Sequence, residues 1–133
     1  MKKAIIISGS IILAVLVVFF SLYFISTTPK YTGEFSVNEF AECIQNEHFQ
    51  TDKNYGEIID YQTAAKAGKA AIAERFENSE GSLFEWMGCS VQYDKANDAY
   101  YVRTYHIAPF VRGGAYDVIF QSDGTVLAIW GEK

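Results

Sequence analysis

The sequence predicts an α+β protein: an N-terminal transmembrane helix, then a cone-like domain of two helices packed on a curved four-stranded antiparallel sheet. Three observations support this prediction. Residues 4–26 form an uncharged run, two segments between residues 36 and 78 repeat apolar residues at helical spacing, and the remainder alternates apolar and polar residues between turn signals. Because the helices precede the strands, the pattern is typical of an α+β layout.

The N-terminal run is the first element. Its 23 residues would extend about 34 Å as a helix, enough for a hydrocarbon core of about 30 Å. A cleaved signal peptide is the alternative, but its apolar region has about 7–15 residues and ends at small residues. Lys2 and Lys3 precede the run, so the positive-inside rule places the N-terminus in the cytoplasm. We therefore expect an anchor and short stalk over residues 1–30, an extracytoplasmic domain over 31–133, and a single-pass protein of the cell membrane. The Thr-, Pro-, Lys- and Gly-containing segment over residues 27–35, which spans this boundary, is predicted to be the short stalk.

The two helices of the domain have different signatures. The first is predicted over residues 36–48, where Ser36 and Glu39 fit a capping box. The second begins after Asp60, a good N-cap residue. Its inward stripe is dominated by small residues, so this helix should lie close to the sheet. The stripe consists of Ala64, Ala65, Gly68, Ala71, Ile72 and Phe76.

Four strands are predicted after the second helix, over residues 83–93, 99–107, 115–121 and 125–130. A turn over 94–98 and a hairpin turn over 122–124 separate two of the strand pairs. Asp94, Asn97 and Asp98 are ordinary turn formers, and their spacing does not fit a calcium loop. The many aromatic residues of the strands either fill the cone as core or line a pocket at its open end.

Charge and cysteine content limit the classes of function. Lys2, Lys3 and Lys30 are three of the 11 basic residues, and all 16 acidic residues follow them, so residues 31–133 have a net charge of −8. Such a domain is a poor partner for nucleic acid, whose binding depends on neutralising phosphates. Cys43 and Cys89 either form one disulfide outside the cytoplasm or remain two buried thiols.

The sequence gives little sign of catalysis. His48 and His106 lack the spacing of a metal site, and no nucleophile elbow, phosphate-binding loop or C-x-x-C motif occurs. We therefore expect no enzyme activity, no catalytic residue, no cofactor and no metal. An enzyme that uses the conical cavity is the third hypothesis, and it would need an inward-pointing acid–base pair.

The segment from Ile58 to the C-terminus resembles a known family. The matching features are Asp60 with Thr63-Ala64-Ala65, Tyr100-Tyr101-Val102, Pro109 with Gly113-Gly114, Tyr116-Asp117-Val118-Ile119, and Asp123-Gly124-Thr125-Val126-Leu127. In this order they resemble the nuclear transport factor 2 fold immunity proteins of bacterial polymorphic toxin systems. The sequence departs from the family pattern at Tyr101, where a tryptophan is usual, and at Arg103-Thr104, where a glycine is usual. The resemblance implies a small α+β protein that binds and neutralises a toxin without catalytic residues.

The first functional hypothesis is therefore a membrane-anchored, non-catalytic binding protein that occludes a cognate toxin. We expect the partner to contact exposed aromatic and charged residues near the open end of the cone, with an Arg112–Asp117 pair bracing the loop. These residues are Tyr105, His106, Phe110, Arg112 and Asp117. The alternative is an envelope module that resembles PepSY domains, which are linked to protease inhibition or envelope regulation.

Overall fold

A computed structural model describes residues 2–80, 87–106 and 114–132. Its α-helices are α1 (Lys2–Thr27), α2 (Ala41–Gln45) and α3 (Tyr61–Glu80). Its strands are β1 (Lys30–Glu34), β2 (Met87–Asp94), β3 (Ala99–His106), β4 (Tyr116–Gln121) and β5 (Val126–Gly131). Two short 3-10 helices, Val37–Phe40 and Glu47–Phe49, flank α2. The strands form one sheet in the order β1-β2-β3-β4-β5.

The sheet differs from the predicted one. The protein has the α+β class, but the four-stranded antiparallel sheet and the two-helix domain are wrong: the sheet has five strands and is mixed. Strand β1, which was expected to be a stalk, pairs parallel to β2, with Tyr31 opposite Val91. Parallel neighbours require a long crossover, and the chain between β1 and β2 supplies one through α3. The other neighbouring strands pair antiparallel.

Helix α3 covers one face of the sheet, called here the inner face. Its predicted small-residue stripe is confirmed, because Ala64, Ala65, Ala71 and Ile72 are buried at 1% exposure or less. The approach is so close that a Cβ on Gly68 would lie 2.5 Å from Val102 Cγ1. The predicted N-cap is also confirmed: the Thr63 amide donates to Asp60 Oδ1 at 2.7 Å. The inner face beneath α3 is therefore a predominantly apolar layer.

The opposite, outer face is covered by residues 37–49. The predicted single helix over 36–48 is wrong, since this segment consists of α2 between the two 3-10 helices. Ser36 makes no side-chain capping bond. The Glu39 amide, which the capping box was expected to satisfy, donates to the Ser36 backbone carbonyl at 3.1 Å. A different amide at the start of the segment, that of Val37, donates to Asp94 Oδ2 at 2.8 Å. The sheet is thus covered on both faces.

The structure of helix α1 does not agree with the predicted membrane anchor. Its described side chains, residues 9–25, are mostly exposed, with Ile11 at 59% and Phe24 at 72%. Across the described parts of the chain, no helix combines the length and the apolar character needed to cross a membrane. This finding contradicts the transmembrane helix over residues 4–26 and the single-pass localisation derived from it.

Candidate functional site

The five residues predicted to bind a partner do not form one exposed surface among the described residues. Tyr105 is half-buried on the outer face near the end of β3, and His106 follows it opposite Met87. Phe110 and Arg112 lie outside the described residues. Asp117 has no exposed surface, so a partner cannot touch it in this conformation. The cation found near Asp117 is Arg103, on the neighbouring strand, at 3.7 Å.

Asp117 is the buried end of a polar network on the outer face, and the Arg103 and Glu132 side chains of this network are partly exposed. The Tyr101 hydroxyl donates to Asp117 Oδ1 at 2.6 Å, and Arg103 also forms an ion pair with Glu132. Asp117 Oδ2 has no hydrogen-bond partner among the described residues. Burial raises the pKa of Asp117 to about 6, although the Tyr101 bond and Arg103 act in the opposite direction. The carboxyl group therefore changes its charge close to physiological pH.

Aromatic rings cover the Asp117 end of this network. Tyr101 stacks on Trp130 with an interplanar angle of 9°. Phe40 contacts both rings, at centroid distances of 5.1 Å to Tyr101 and 5.8 Å to Trp130. Phe35 and Phe49 extend the cluster at its two ends. Residues from the covering segment and from the sheet thus bury the Asp117 carboxyl, which identifies the network as part of the framework.

Two carboxylates hold the turns at one end of the sheet. Asp94 accepts bonds from the Ala96 and Asn97 amides through Oδ1, and from Val37 and the Asn97 side chain through Oδ2. Asp98 accepts from the Tyr93 hydroxyl at 2.7 Å and from the Ser122 hydroxyl. These contacts tie the β2–β3 turn to the covering segment and to the β4–β5 turn.

A concave site lies beside these turns, where the N-terminus of α3 meets β1, β2 and β3. It is an open depression of about 340 Å³ and is called here the tyrosine pocket. Its lining residues are Tyr31, Asp60, Tyr61, Tyr93 and Tyr100. Strand pairing explains the assembly: Tyr93 lies opposite Tyr100, and Tyr31 lies beside Val91, two residues earlier in β2. All three tyrosines of the sheet therefore lie on the inner face, below the first turn of α3.

The rings of the pocket form two pairs. Tyr93 and Tyr100 have centroids 4.7 Å apart, and Tyr31 and Tyr61 have centroids 6.3 Å apart. Tyr31 is 51% exposed and Tyr61 is 37% exposed, so the second pair forms an accessible rim. Tyr100 is largely buried and belongs to the wall.

The electrostatics of the pocket are negative. Hydrogen bonds from the backbone and hydroxyl of Thr63 hold the pKa of Asp60 below its usual value, so it is ionised at neutral pH. The hydrogen bond to Asp98 and burial raise the pKa of Tyr93 to about 12. Burial and the charges of Asp98 and Asp60 raise the pKa of Tyr100 as well. The pocket therefore combines neutral phenol rings with carboxylate charge at physiological pH.

A second cavity, of about 300 Å³, lies near the C-terminal half of α3. Lys53 and Glu74 form an ion pair there, and Glu74 also accepts a bond from the Tyr55 hydroxyl at 2.8 Å. Arg75 also lines this cavity and donates to the His48 carbonyl oxygen at 2.8 Å. Two cations and one carboxylate therefore line it, which distinguishes it from the negatively charged tyrosine pocket.

The described residues include side chains of the types that can bind metal ions, and two cysteine thiols. Within residues 2–80, 87–106 and 114–132, no group of three or more His, Cys, Asp or Glu side chains could hold a metal ion. Cys43 and Cys89 are both free thiols. Burial raises the pKa of Cys89 to about 11, so its reactive thiolate form is scarce at neutral pH.

Sequence reasoning missed the tyrosine pocket. Tyr31 was placed in a stalk. Tyr93 and Tyr100 were among the strand aromatics expected either to fill the cone or to line a pocket at its open end, and neither was among the residues predicted to bind a partner. The available signal was Tyr31 in a short segment that could add to the sheet, but its partner strand is distant in sequence. A parallel pairing of this kind leaves no local signature.

Comparison with known proteins gives no assignment, since no protein family, curated protein or solved structure matches the chain.

Proposed function

We propose that this chain is a non-catalytic binding protein that neutralises a protein toxin by covering a surface the toxin needs. The observation that carries the proposal is the tyrosine pocket with its exposed rim of Tyr31 and Tyr61. Tyrosine is enriched at protein interfaces because its rigid ring offers a large contact area and its hydroxyl offers a polar tip. An accessible aromatic rim around a cavity is therefore a reasonable anchor site for a partner.

Charge supports a basic partner. Residues 31–133 carry a net charge of −8, and Asp60, Asp94 and Asp98 cluster around the pocket and its adjoining turns. Complementary charge accelerates encounter between two proteins, and it penalises partners of the same sign. We expect the association rate to fall as ionic strength rises, because salt screens the steering field.

The neutralising role comes from the sequence resemblance to nuclear transport factor 2 fold immunity proteins. The resemblance covers Ile58 to the C-terminus and therefore includes Asp60, Tyr61, Tyr93 and Tyr100 of the pocket. Occlusion requires stoichiometric binding and no chemical step. The buried Asp117 carboxyl has the role of a framework in this proposal, because a partner cannot reach it.

Site-specific photo-crosslinking in cells of the chain's own host tests the proposal. A photoreactive residue at Tyr61 reports on the pocket rim. The same residue at Ala70 is the control, because it lies on the same helix, is exposed, and is nine residues away. That spacing corresponds to about 13.5 Å along α3 and to its opposite side. The captured protein is then expressed alone and together with the chain.

The expected result is capture from Tyr61 and not from Ala70 of a protein that arrests growth when expressed alone. Co-expression of the chain should restore growth, and purified chain should inhibit the toxin with a plateau near one chain per toxin. Inhibition at far lower ratios would indicate turnover and contradict occlusion. Capture of only an envelope protease or sensor would contradict the proposal and favour a PepSY-like module.

A further inference from the structure

We infer that the tyrosine pocket binds an organic ammonium group. The assignment of this ammonium to a lysine side chain of the protein partner rests on the proposed function. The binding chemistry itself rests on the rings, the carboxylate and the shape of the pocket alone.

The ring arrangement is the first argument. Cations are attracted to the negative face of an aromatic ring when they lie within about 6 Å of its centroid, and cages of several aromatic rings recognise alkylated ammonium groups. Three strands and the first residue of α3 bring four phenol rings around one cavity. The Tyr93–Tyr100 pair forms the wall, and the Tyr31–Tyr61 pair forms the rim. A methylene chain could enter between apolar ring surfaces while its charged end meets the ring faces.

The charge of Asp60 is the second argument. Asp60 lines the pocket, and its Oδ1 accepts from the Thr63 amide and hydroxyl at 2.7 Å. The N-terminus of α3 contributes about half a positive charge, whereas the ionised carboxylate contributes a full negative charge. The local sum is therefore negative. A cation is favoured, and an anionic ligand would meet like charge from Asp60 and from nearby Asp98.

Within the described residues, the charged groups that act on the two wall tyrosines are carboxylates. The charged or phenolic groups that act on Tyr93 are Asp98, Tyr100 and Asp94. Those that act on Tyr100 are Asp98, Asp60 and Tyr31. Lys30 precedes Tyr31 in β1, but strand alternation directs its side chain to the other face of the sheet.

Size sets the scale of the ligand. A cavity of about 340 Å³ is at the small end of the range for ligand sites. It can admit a trimethylammonium headgroup or the end of a lysine side chain, whereas a folded domain must remain outside. The occupant is therefore a single cationic group on a flexible stem.

Binding of matched probes to the purified full chain, followed by NMR, tests the inference. The first pair is choline and its uncharged isostere 3,3-dimethylbutan-1-ol, which has the same shape. The second pair is Nα-acetyl-lysine N-methylamide and the corresponding norleucine derivative. Each pair separates charge from apolar contact, and the two pairs separate a small quaternary ammonium from a protein-type side chain.

The variants are chosen to preserve the fold. Asp60→Asn removes the charge but keeps a residue that caps helices as well as aspartate does. Tyr61→Leu keeps apolar bulk and removes the aromatic ring. Asp123→Asn is the matched control, because Asp123 is also an exposed carboxylate that holds a backbone amide, that of Thr125 at 2.8 Å. Asp123 is not among the residues that line the pocket.

We expect choline and the lysine derivative to bind at least about tenfold more tightly than their neutral counterparts. Asp60→Asn and Tyr61→Leu should each weaken choline binding by about fivefold or more, and Asp123→Asn should leave it unchanged. Equal binding of charged and neutral probes, or no binding of either, would overturn the inference. Binding of choline without the lysine derivative would support ammonium recognition and overturn its assignment to a partner's lysine. Because these measurements need no toxin, their failure is separate from failure of the crosslinking experiment.

Discussion

The two faces of the sheet are built by different physical means. On the inner face, α3 packs its small-residue stripe against buried side chains such as Val102 and Phe120, and shape alone determines the contact. On the outer face, a segment of short helices covers a buried carboxylate, its tyrosine and arginine neighbours, and a stack of aromatic rings. The comparison teaches that the inner face should respond to changes of volume, and that the outer face should respond to changes of charge.

The largest effect is expected from truncating the inner core. Phe120 has no exposed surface, so Phe120→Ala should lower the free energy of unfolding by about 3–5 kcal/mol, as lost transfer energy and a cavity combine. Trp130 on the outer face is only partly buried, and Trp130→Ala should cost about half as much. Urea denaturation measures both values. Equal losses would show that the outer aromatic cluster is as strongly packed as the core.

The next effect is a pH dependence specific to the outer face. The pKa of Asp117 is raised from 3.8 to about 6, so the folded state retains a proton that the unfolded chain has lost. The stability from this group is complete below about pH 4 and is lost as the pH rises to about 6. A shift of this size corresponds to about 3 kcal/mol.

Asp117→Asn makes this dependence measurable, because asparagine resembles the protonated carboxyl group and does not titrate. The stability of the wild type relative to the variant should decrease by about 3 kcal/mol between pH 4 and pH 7. Exposed carboxylates with lowered pKa values, such as Asp98, make the folded state less stable as the pH falls. Both proteins contain these carboxylates, so their effect cancels in the comparison. Parallel stability curves for the two proteins would contradict the role of Asp117.

A smaller effect is expected where α3 approaches β3. Gly68→Ala places a methyl group 2.5 Å from Val102 Cγ1, and such overpacking lowers the free energy of unfolding by about 1–3 kcal/mol. The better helix propensity of alanine offsets up to about 1 kcal/mol of this loss. Ala70→Gly at an exposed position of the same helix measures that propensity independently. Adding Val102→Ala should remove the clash. If the double variant loses as much free energy of unfolding as the two single variants together, then the contact between residue 68 and Val102 does not limit the packing of α3 on β3.

The comparison also explains what the sequence could predict. Helix α3, its Asp60 cap and strands β2–β5 have strong local patterns, so their existence and type were predictable. Strand β1 was not, because five residues that include Gly33 carry little periodicity and pair with a strand more than fifty residues away. The prediction that Asp117 is exposed to a partner was wrong because it, too, depended on a segment distant in sequence. Apolar outer-face residues such as Ile119 indicate a sheet covered on both sides, but the cover comes from a distant segment.

The smallest effect concerns how that cover is attached. Asp94 accepts bonds through both oxygens, whereas asparagine has only one acceptor oxygen. In Asp94→Asn we expect this oxygen to remain with the Ala96 and Asn97 amides of its own turn, leaving the Val37 amide without an acceptor. The Asn97 side-chain amide loses its acceptor as well, and each lost bond should cost about 1 kcal/mol. The effect should be local, because the inner face does not depend on these bonds.

Hydrogen exchange separates this local effect from general destabilisation. In Asp94→Asn, the Val37 amide should exchange about five- to tenfold faster under native conditions, while the Ile72 amide in α3 should change much less. Equal acceleration at Val37 and Ile72 would mean that the two faces open together. Unequal acceleration would establish that the outer cover can open while α3 remains packed, and that the carboxylate of a turn controls this opening.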